Sequence, residues 1–161
     1  MSKPKLPLTQ MEKRRLRKAK IKIDEIHTLS VERLKTILEV PAERARMIRA
    51  LAEFQTIPSI GLSIAETLVQ RLKTYSIKEI KDRDPADLLN ELEKRLGYWV
   101  DPCVEDQIRC IIHHANNPES EYQWFNFTEE RKKYRAQYGY PSDRPKTPWY
   151  EVKKNGLKIR A

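Results

Sequence analysis

"TIPSIGLSIAETL", Thr56 to Leu68, is the stretch on which the reading of this chain turns. It sets Pro-Ser-Ile-Gly, poor helix formers together, between two segments of helical pattern, in a chain that holds only four glycines among 161 residues. Ahead of it, Met47, Ile48, Leu51 and Phe54 recur at helical spacing; behind it, Ala65, Leu68, Val69 and Leu72 do the same. Steps of three and four mark one face of a helix. The segment from about residue 47 to 73 therefore reads as helix, tight turn, helix.

The pattern extends outward in both directions. Upstream, Ser30 is placed to cap a helix to about Leu38, and Pro41 to begin another that runs to about Phe54. This pair has the outline of a DNA-reading helix-turn-helix. Its side chains do not demand base readout, and Arg44, Arg46 and Arg49 are the one basic cluster on its second helix, so it reads as packing. Downstream, Ser76 and Glu79 form a capping box. Asp84-Pro85 opens a helix with Leu88, Leu89, Leu92 and Leu96 as its stripe, and Gly97 is placed to end it in a left-handed cap. Asp101-Pro102 opens another, burying Val104, Ile108, Ile111 and Ile112, and Asn116-Asn117-Pro118 stops it. Residues 85–115 or so are thus a second, less regular helix, turn, helix. No segment shows strand alternation, and the fold class expected is all-α.

Composition narrows the field. The chain is 39% apolar and 34% charged, with no run of about 18 apolar residues, so no membrane span is expected. The basic N-terminus lacks the apolar stretch of a secretory signal. Cys103 and Cys110 would lie about 10 Å apart along one helix, beyond disulfide reach. A reducing cytoplasm is the expected location.

The net charge of +9 is unevenly placed. Residues 1–22 carry nine Lys/Arg against one acid, and 128–161 carry ten against four; residues 23–127 carry thirteen against eighteen. Two basic ends flank a mildly acidic middle. A polyanion such as DNA is the natural partner of the ends, whereas the middle needs a local device to hold phosphate. In the N-terminal arm, Thr9 with Glu12 can cap a helix whose Lys13, Arg14, Arg15, Arg17, Lys18, Lys20 and Lys22 repel one another. A solvated terminus and an arm that orders on contact both remain open. At the other end, Thr128 is expected to cap a helix to about Tyr138. The Pro-rich basic segment after Gly139 reads as extended and weakly structured.

The turn offers that local device. A helix N-terminus leaves its first amides without partners and carries partial positive charge, so it can hold a phosphate. Gly61 removes a side chain from the approach and tolerates positive φ. Pro58 fixes the path, Ile57 and Ile60 anchor it, and Ser63 can offer a hydroxyl or cap a box with Glu66. On this reading Pro58, Ser59, Ile60, Gly61, Leu62 and Ser63 form a DNA-backbone site. An ordinary tight connection between helices is the competing account.

"IPSIGLSIAETL" resembles the helix-hairpin-helix motif of repair and recombination proteins, whose usual form is Leu-Pro-Gly-Ile-Gly-Pro-Lys-Thr-Ala. Ile57-Pro58, Ile60-Gly61 and Ala65 match it. Ser59 replaces the first glycine, and Leu62-Ser63 replaces Pro-Lys. Together with "DPCVEDQIRC" (Asp101–Cys110) and "WFNF" (Trp124–Phe127), the chain over about residues 50–128 resembles the bacterial pathogenicity-locus, or mitomycin-resistance, proteins. That resemblance implies a tandem helix-hairpin-helix domain, DNA binding or repair, and room for a monovalent cation in the hairpin loop.

Other chemistry is weaker. Cys103, Cys110, His113 and His114 lack the paired spacing of a zinc site, so no metal is expected. A thiolate at Cys103 would lie near a helix N-terminus, but His113 is too far along the helix for a dyad. The aromatic residues Tyr122, Trp124, Phe125 and Phe127 suit packing over the core better than base stacking, with Asn126 bonded to backbone. No catalytic residue and no cofactor is assigned. The function expected is non-enzymatic, sequence-nonspecific DNA binding; the alternative is a protein-interaction adaptor built on helical hairpins.

Overall fold

Thr9 starts the first helix through the pair its sequence announces. Its hydroxyl accepts the Glu12 N–H at 3.1 Å, and the Glu12 carboxylate accepts the Thr9 N–H at 2.8 Å. The computed structural model describes residues 3–154, and among these every regular element is helical. The ends of the arm and of the tail, residues 1–2 and 155–161, lie outside the described residues.

The N-terminal third is built from α1 (Gln10–Lys18), a 3-10 turn (Ile23–Thr28), α2 (Val31–Leu38) and α3 (Ala42–Phe54). Leu16, Ile26, Leu34 and Leu38 meet Ala45, Ile48 and Ala52 of α3 in one cluster. The other face of α3, with Ala50, Leu51 and Phe54, belongs to a second and larger cluster. One helix thus serves both cores. Each large side chain buried there contributes roughly 1.5–3 kcal/mol.

The basic arm is part of the fold rather than free. Leu16 is 2% exposed, and Arg15 donates to the Leu38 carbonyl at 2.9 Å while pairing with Glu39. Arg44 grips the buried Glu12 at 2.8 and 3.0 Å and reaches the Pro7 carbonyl. Burial of one leucine and a two-point ion pair outweigh the repulsion among neighbouring cations. Arg49 donates to the Leu29 carbonyl, and Arg46 lies over the Tyr75 ring at 3.7 Å. All three arginines of α3 are therefore engaged in packing.

Beyond the turn, α4 (Leu62–Glu66) runs without a break into a π-helical turn, Thr67–Arg71. Then come α5 (Ile77–Ile80), α6 (Pro85–Leu96) and α7 (Pro102–Asn116). Ser76, Asp84 and Asp101 each cap as expected, and Gly97 ends α6 at φ 79°. A second 3-10 turn, Trp124–Phe127, leads into α8 (Thr128–Tyr138).

Two expectations about the C-terminus are corrected. Thr128 is the first residue of α8, not its cap; its hydroxyl donates to Asp106 at 2.9 Å. The tail is strapped to the core rather than loose. Arg131 pairs with Asp106 at 2.7 Å, Arg135 with Glu105 at 2.9 Å and Arg144 with Glu93 at 2.7 Å. All three carboxylates are buried. Tyr140 lies between Arg135 and Arg144, with its centroid 4.1 and 3.6 Å from their guanidinium carbons. Trp99 exchanges backbone hydrogen bonds with Thr147 and Trp149, at the start of α9 (Trp149–Lys154). Three of the tail's cations thus meet buried carboxylates of the acidic middle within the chain. No helix among the described residues is long and apolar enough to cross a membrane.

Candidate functional site

The turn between α3 and α4 is tied from below and open above. The Ile57 N–H donates to Phe54, the Ile60 N–H to Ile57 at 3.1 Å, and both isoleucines are 5% exposed. Pro58, Ser59, Gly61 and Ser63 are exposed, and Leu62 is half-buried. The Ile60 amide is therefore spent inside the turn. Those of Gly61 and Leu62 have no acceptor among the described residues.

The structure reassigns the two unusual residues of the turn. Gly61 has φ −105° and ψ −171°, extended backbone that any residue adopts, and it is the cap residue of α4 in place of Ser63. A Cβ built on Gly61 would meet nothing within 4 Å, so the surface beside the glycine is open. Positive φ falls instead on Ser59, at 66°. A serine there carries strain that glycine would not.

Sequence reading missed the cations beside the turn. The Lys5 N–H donates to Gln55 Oε1 and the Lys5 carbonyl accepts from Gln55 Nε2, both at 2.9 Å. This two-point clamp lays the N-terminal segment alongside the turn. Lys3, Pro4 and Lys5 then line, with Gln55, Ile60, Gly61, Leu62 and Ser63, a depression of about 370 Å³. A neighbouring hollow of about 480 Å³ is lined by Gln55 to Gly61. Neither Lys3 nor Lys5 has a carboxylate partner among the described residues. Where the helix-hairpin-helix motif that this turn resembles usually has lysine the chain has Ser63, and two lysines from elsewhere in the chain stand next to it. Only the tertiary position of Gln55 reveals this; the lysines alone look like any charged terminus.

The aromatic cluster divides. Phe127 is buried, and Asn126 Oδ1 accepts the Gln123 N–H at 2.8 Å, as expected of packing residues. Trp124 is half-buried, and its N–H donates to Ser59 Oγ at 2.9 Å. Tyr122 and Phe125 are 56% and 48% exposed.

The second turn, between α6 and α7, is sealed. Tyr98 and Val100 are buried, the Val100 N–H donates to Glu93 at 2.9 Å, and the tail covers Trp99 through its backbone pairing. Of the arm's cations, Arg14, Arg17, Lys18, Lys20 and Lys22 are exposed and Lys13 is half-buried; Arg15 is taken by the core.

The thiols are poor nucleophiles. Burial, joined by Asp101, pushes Cys103 up to about 12. Burial pushes Cys110 up to about 11, against a smaller opposing contact from Ser59. His114 Nε2 bonds the Tyr122 carbonyl at 2.7 Å and His113 Nε2 meets Ser120 Oγ at 2.9 Å. No group of three or more His, Cys, Asp or Glu among the described residues is arranged to hold a metal ion.

The family model described as Cdd1, pathogenicity locus, matches residues 47–133, from within α3 to within α8. The mitomycin resistance protein McrB of Streptomyces lavendulae is 27% identical over 89 residues, which span 55% of this chain and 83% of that protein. No solved structure matches the chain. The α1 cations, Lys3 and Lys5 all lie outside the matched span.

Proposed function

The chain belongs to the Cdd1 pathogenicity-locus family, and from that premise we propose that it is a non-enzymatic, sequence-nonspecific DNA-binding protein of helix-hairpin-helix type. Its place is in the cytoplasm, in resistance to DNA-damaging compounds such as mitomycin. The resistance role draws on the name of its relative. One observation carries the binding role: Gly61 and Leu62, whose amides have no acceptor among the described residues, line one depression with Lys3 and Lys5. Amides at a helix start and nearby ammonium groups both favour a phosphate. The exposed cations of α1 add affinity that falls steeply with salt.

Reading the protein as a binder rather than an enzyme is supported by Cys103 and Cys110, whose thiols stay protonated at neutral pH.

The test is a fluorescence titration of the full chain with single-stranded, duplex and branched DNA at two salt concentrations. Gly61→Asp is the decisive variant. Aspartate caps a helix well and has space here, yet its carboxylate occupies the phosphate ground. Binding weakened tenfold or more, with an unchanged melt, supports the turn. Undiminished binding by Gly61→Asp, with loss only when Arg14, Arg17 and Lys18 become glutamine, moves the activity to α1. A wild-type chain that binds no DNA but purifies in a defined complex is an adaptor instead.

A further inference from the structure

We infer that Phe125, backed by Trp124, is a stacking platform for an unpaired base, and that the DNA this turn takes is single-stranded. The inference rests on the phosphate-binding reading of the Gly61 turn and names its substrate.

The platform is rigid and placed beside the phosphate ground. Three contacts hold the 3-10 turn that carries Phe125. Phe127 is buried below it, 5.2 Å from the His113 ring centroid. Asn126 closes the turn on the Gln123 N–H. Ser59, from the hairpin itself, takes the Trp124 N–H at 2.9 Å. Trp124 meets Phe125 edge to face, with ring centroids 5.9 Å apart and planes at 86°. That contact takes the edge of one ring and one face of the other, and Phe125 remains 48% exposed.

An exposed aromatic on a mobile loop carries little information. One fixed by its neighbours, and hydrogen-bonded through the adjacent residue to a phosphate-binding turn, has a chemical complement. A base has a π-face and a phosphate attached, and proteins that hold single strands combine cations along the backbone with aromatic rings under the bases. Lys3 and Lys5 supply the first and Phe125 the second. A duplex offers the phosphates but keeps its bases stacked inside.

The experiment compares the full chain on a single-stranded thymidine 12-mer and on an abasic 12-mer, which has the same phosphates without bases. Stacking contributes roughly 1–3 kcal/mol per base, so the thymidine strand is expected to bind about 5- to 150-fold more tightly. Phe125→Ala should collapse that ratio to near unity while leaving abasic binding unchanged, and Phe125→Trp should retain it. Equal wild-type affinity for both strands overturns the platform and leaves the backbone reading standing. An equal loss on both strands by Phe125→Ala overturns it too, because the residue is then structural. So does a wild-type dimer in sedimentation that Phe125→Ala dissolves, since the ring is then a protein contact. Failure of the wild type to bind either strand overturns the backbone reading itself.

Discussion

The Trp124 N–H is aimed at the Ser59 hydroxyl oxygen, 2.9 Å away, across 65 positions of sequence. Two short loops are thereby made one structure: the turn that presents the Gly61 amides and the turn that presents Phe125. Ser59 also stands where the helix-hairpin-helix motif that this turn resembles usually has glycine, and it holds the positive φ that glycine would hold without strain. Serine accepts a strain of about 1 kcal/mol and in exchange ties the loops together.

Substitutions at Ser59 separate those effects. Ser59→Ala keeps the strain and loses the bond, and should lower stability by about 1–2 kcal/mol. Ser59→Gly loses the bond but relieves the strain, and should lie within about 0.5 kcal/mol of wild type. Urea unfolding of the three proteins measures this. Equal stability of the alanine and glycine variants would show that the backbone at 59 is not strained.

The strap on the C-terminal tail invites a second substitution. Glu93 is buried without exposure and holds Arg144 at 2.7 and 3.0 Å. Removing one partner of a buried pair leaves the other charge uncompensated, at a cost of about 3–5 kcal/mol. Arg144→Ala is therefore expected to destabilise by about that amount, softened by the Val100 N–H that Glu93 also accepts. A Glu93→Leu, Arg144→Met double variant should recover much of the loss. Denaturant melts of Glu93→Leu, Arg144→Met and their double complete the cycle; strict additivity would mean that the pair does not interact.

This strap also shows what could be read beforehand. Helix positions followed from local chemistry: Thr9, Ser30, Ser76, Asp84 and Asp101 cap where their side chains bond nearby amides, and Gly97 ends its helix. The turn was legible because Pro58 and the isoleucines mark it. What escaped was long-range. Nothing in the spacing of Arg131, Arg135 and Arg144 tells that each has a buried carboxylate waiting, so a docked tail looked loose. Nothing near Gln55 tells that it clamps Lys5, so the cations beside the turn went unnamed. The positive φ that Gly61 would tolerate falls two residues earlier, on Ser59, because turn geometry depends on which amide closes the bend.

The Gln55 clamp gives a salt-dependence test. Each phosphate contact contributes about 0.7 to the slope of log affinity against log salt on single strands. Lys3→Gln with Lys5→Gln should flatten the slope by about 1.4. Gln55→Ala leaves both charges but frees the segment, and should weaken binding with less change in slope. Titrations between 50 and 200 mM salt, roughly the range in which such contacts are lost, distinguish them. An unchanged slope in the double variant would place Lys3 and Lys5 off the DNA path.

Thiol chemistry supplies a simpler measurement. With Cys103 pushed up to about 12 and Cys110 to about 11, mainly by burial, neither is a thiolate at neutral pH. At pH 8 an ordinary cysteine is roughly a quarter ionised. Both residues should therefore alkylate with iodoacetamide far more slowly in the folded chain than in urea. Fast labelling of folded Cys103 would revive the case for a nucleophile.

The docking of α1 should depend on acid in a direction fixed by one pair. Hydrogen bonds from Arg44 hold the Glu12 carboxyl below its ordinary value, against an opposing push from burial. A carboxyl lowered in the folded state stabilises fully above its unfolded value, about 4.3, and that contribution fades as pH falls through the folded value. Protonation then weakens the grip of Arg44 and loosens α1 from α3. Hydrogen exchange of α1 amides, followed from pH 7 to pH 3 after correction for intrinsic rates, should show protection falling below about 4.3 in the wild type. Glu12→Gln should be less protected at pH 7 and change little over that range. Parallel acid profiles for the two proteins would mean that this ion pair does not hold the helix down.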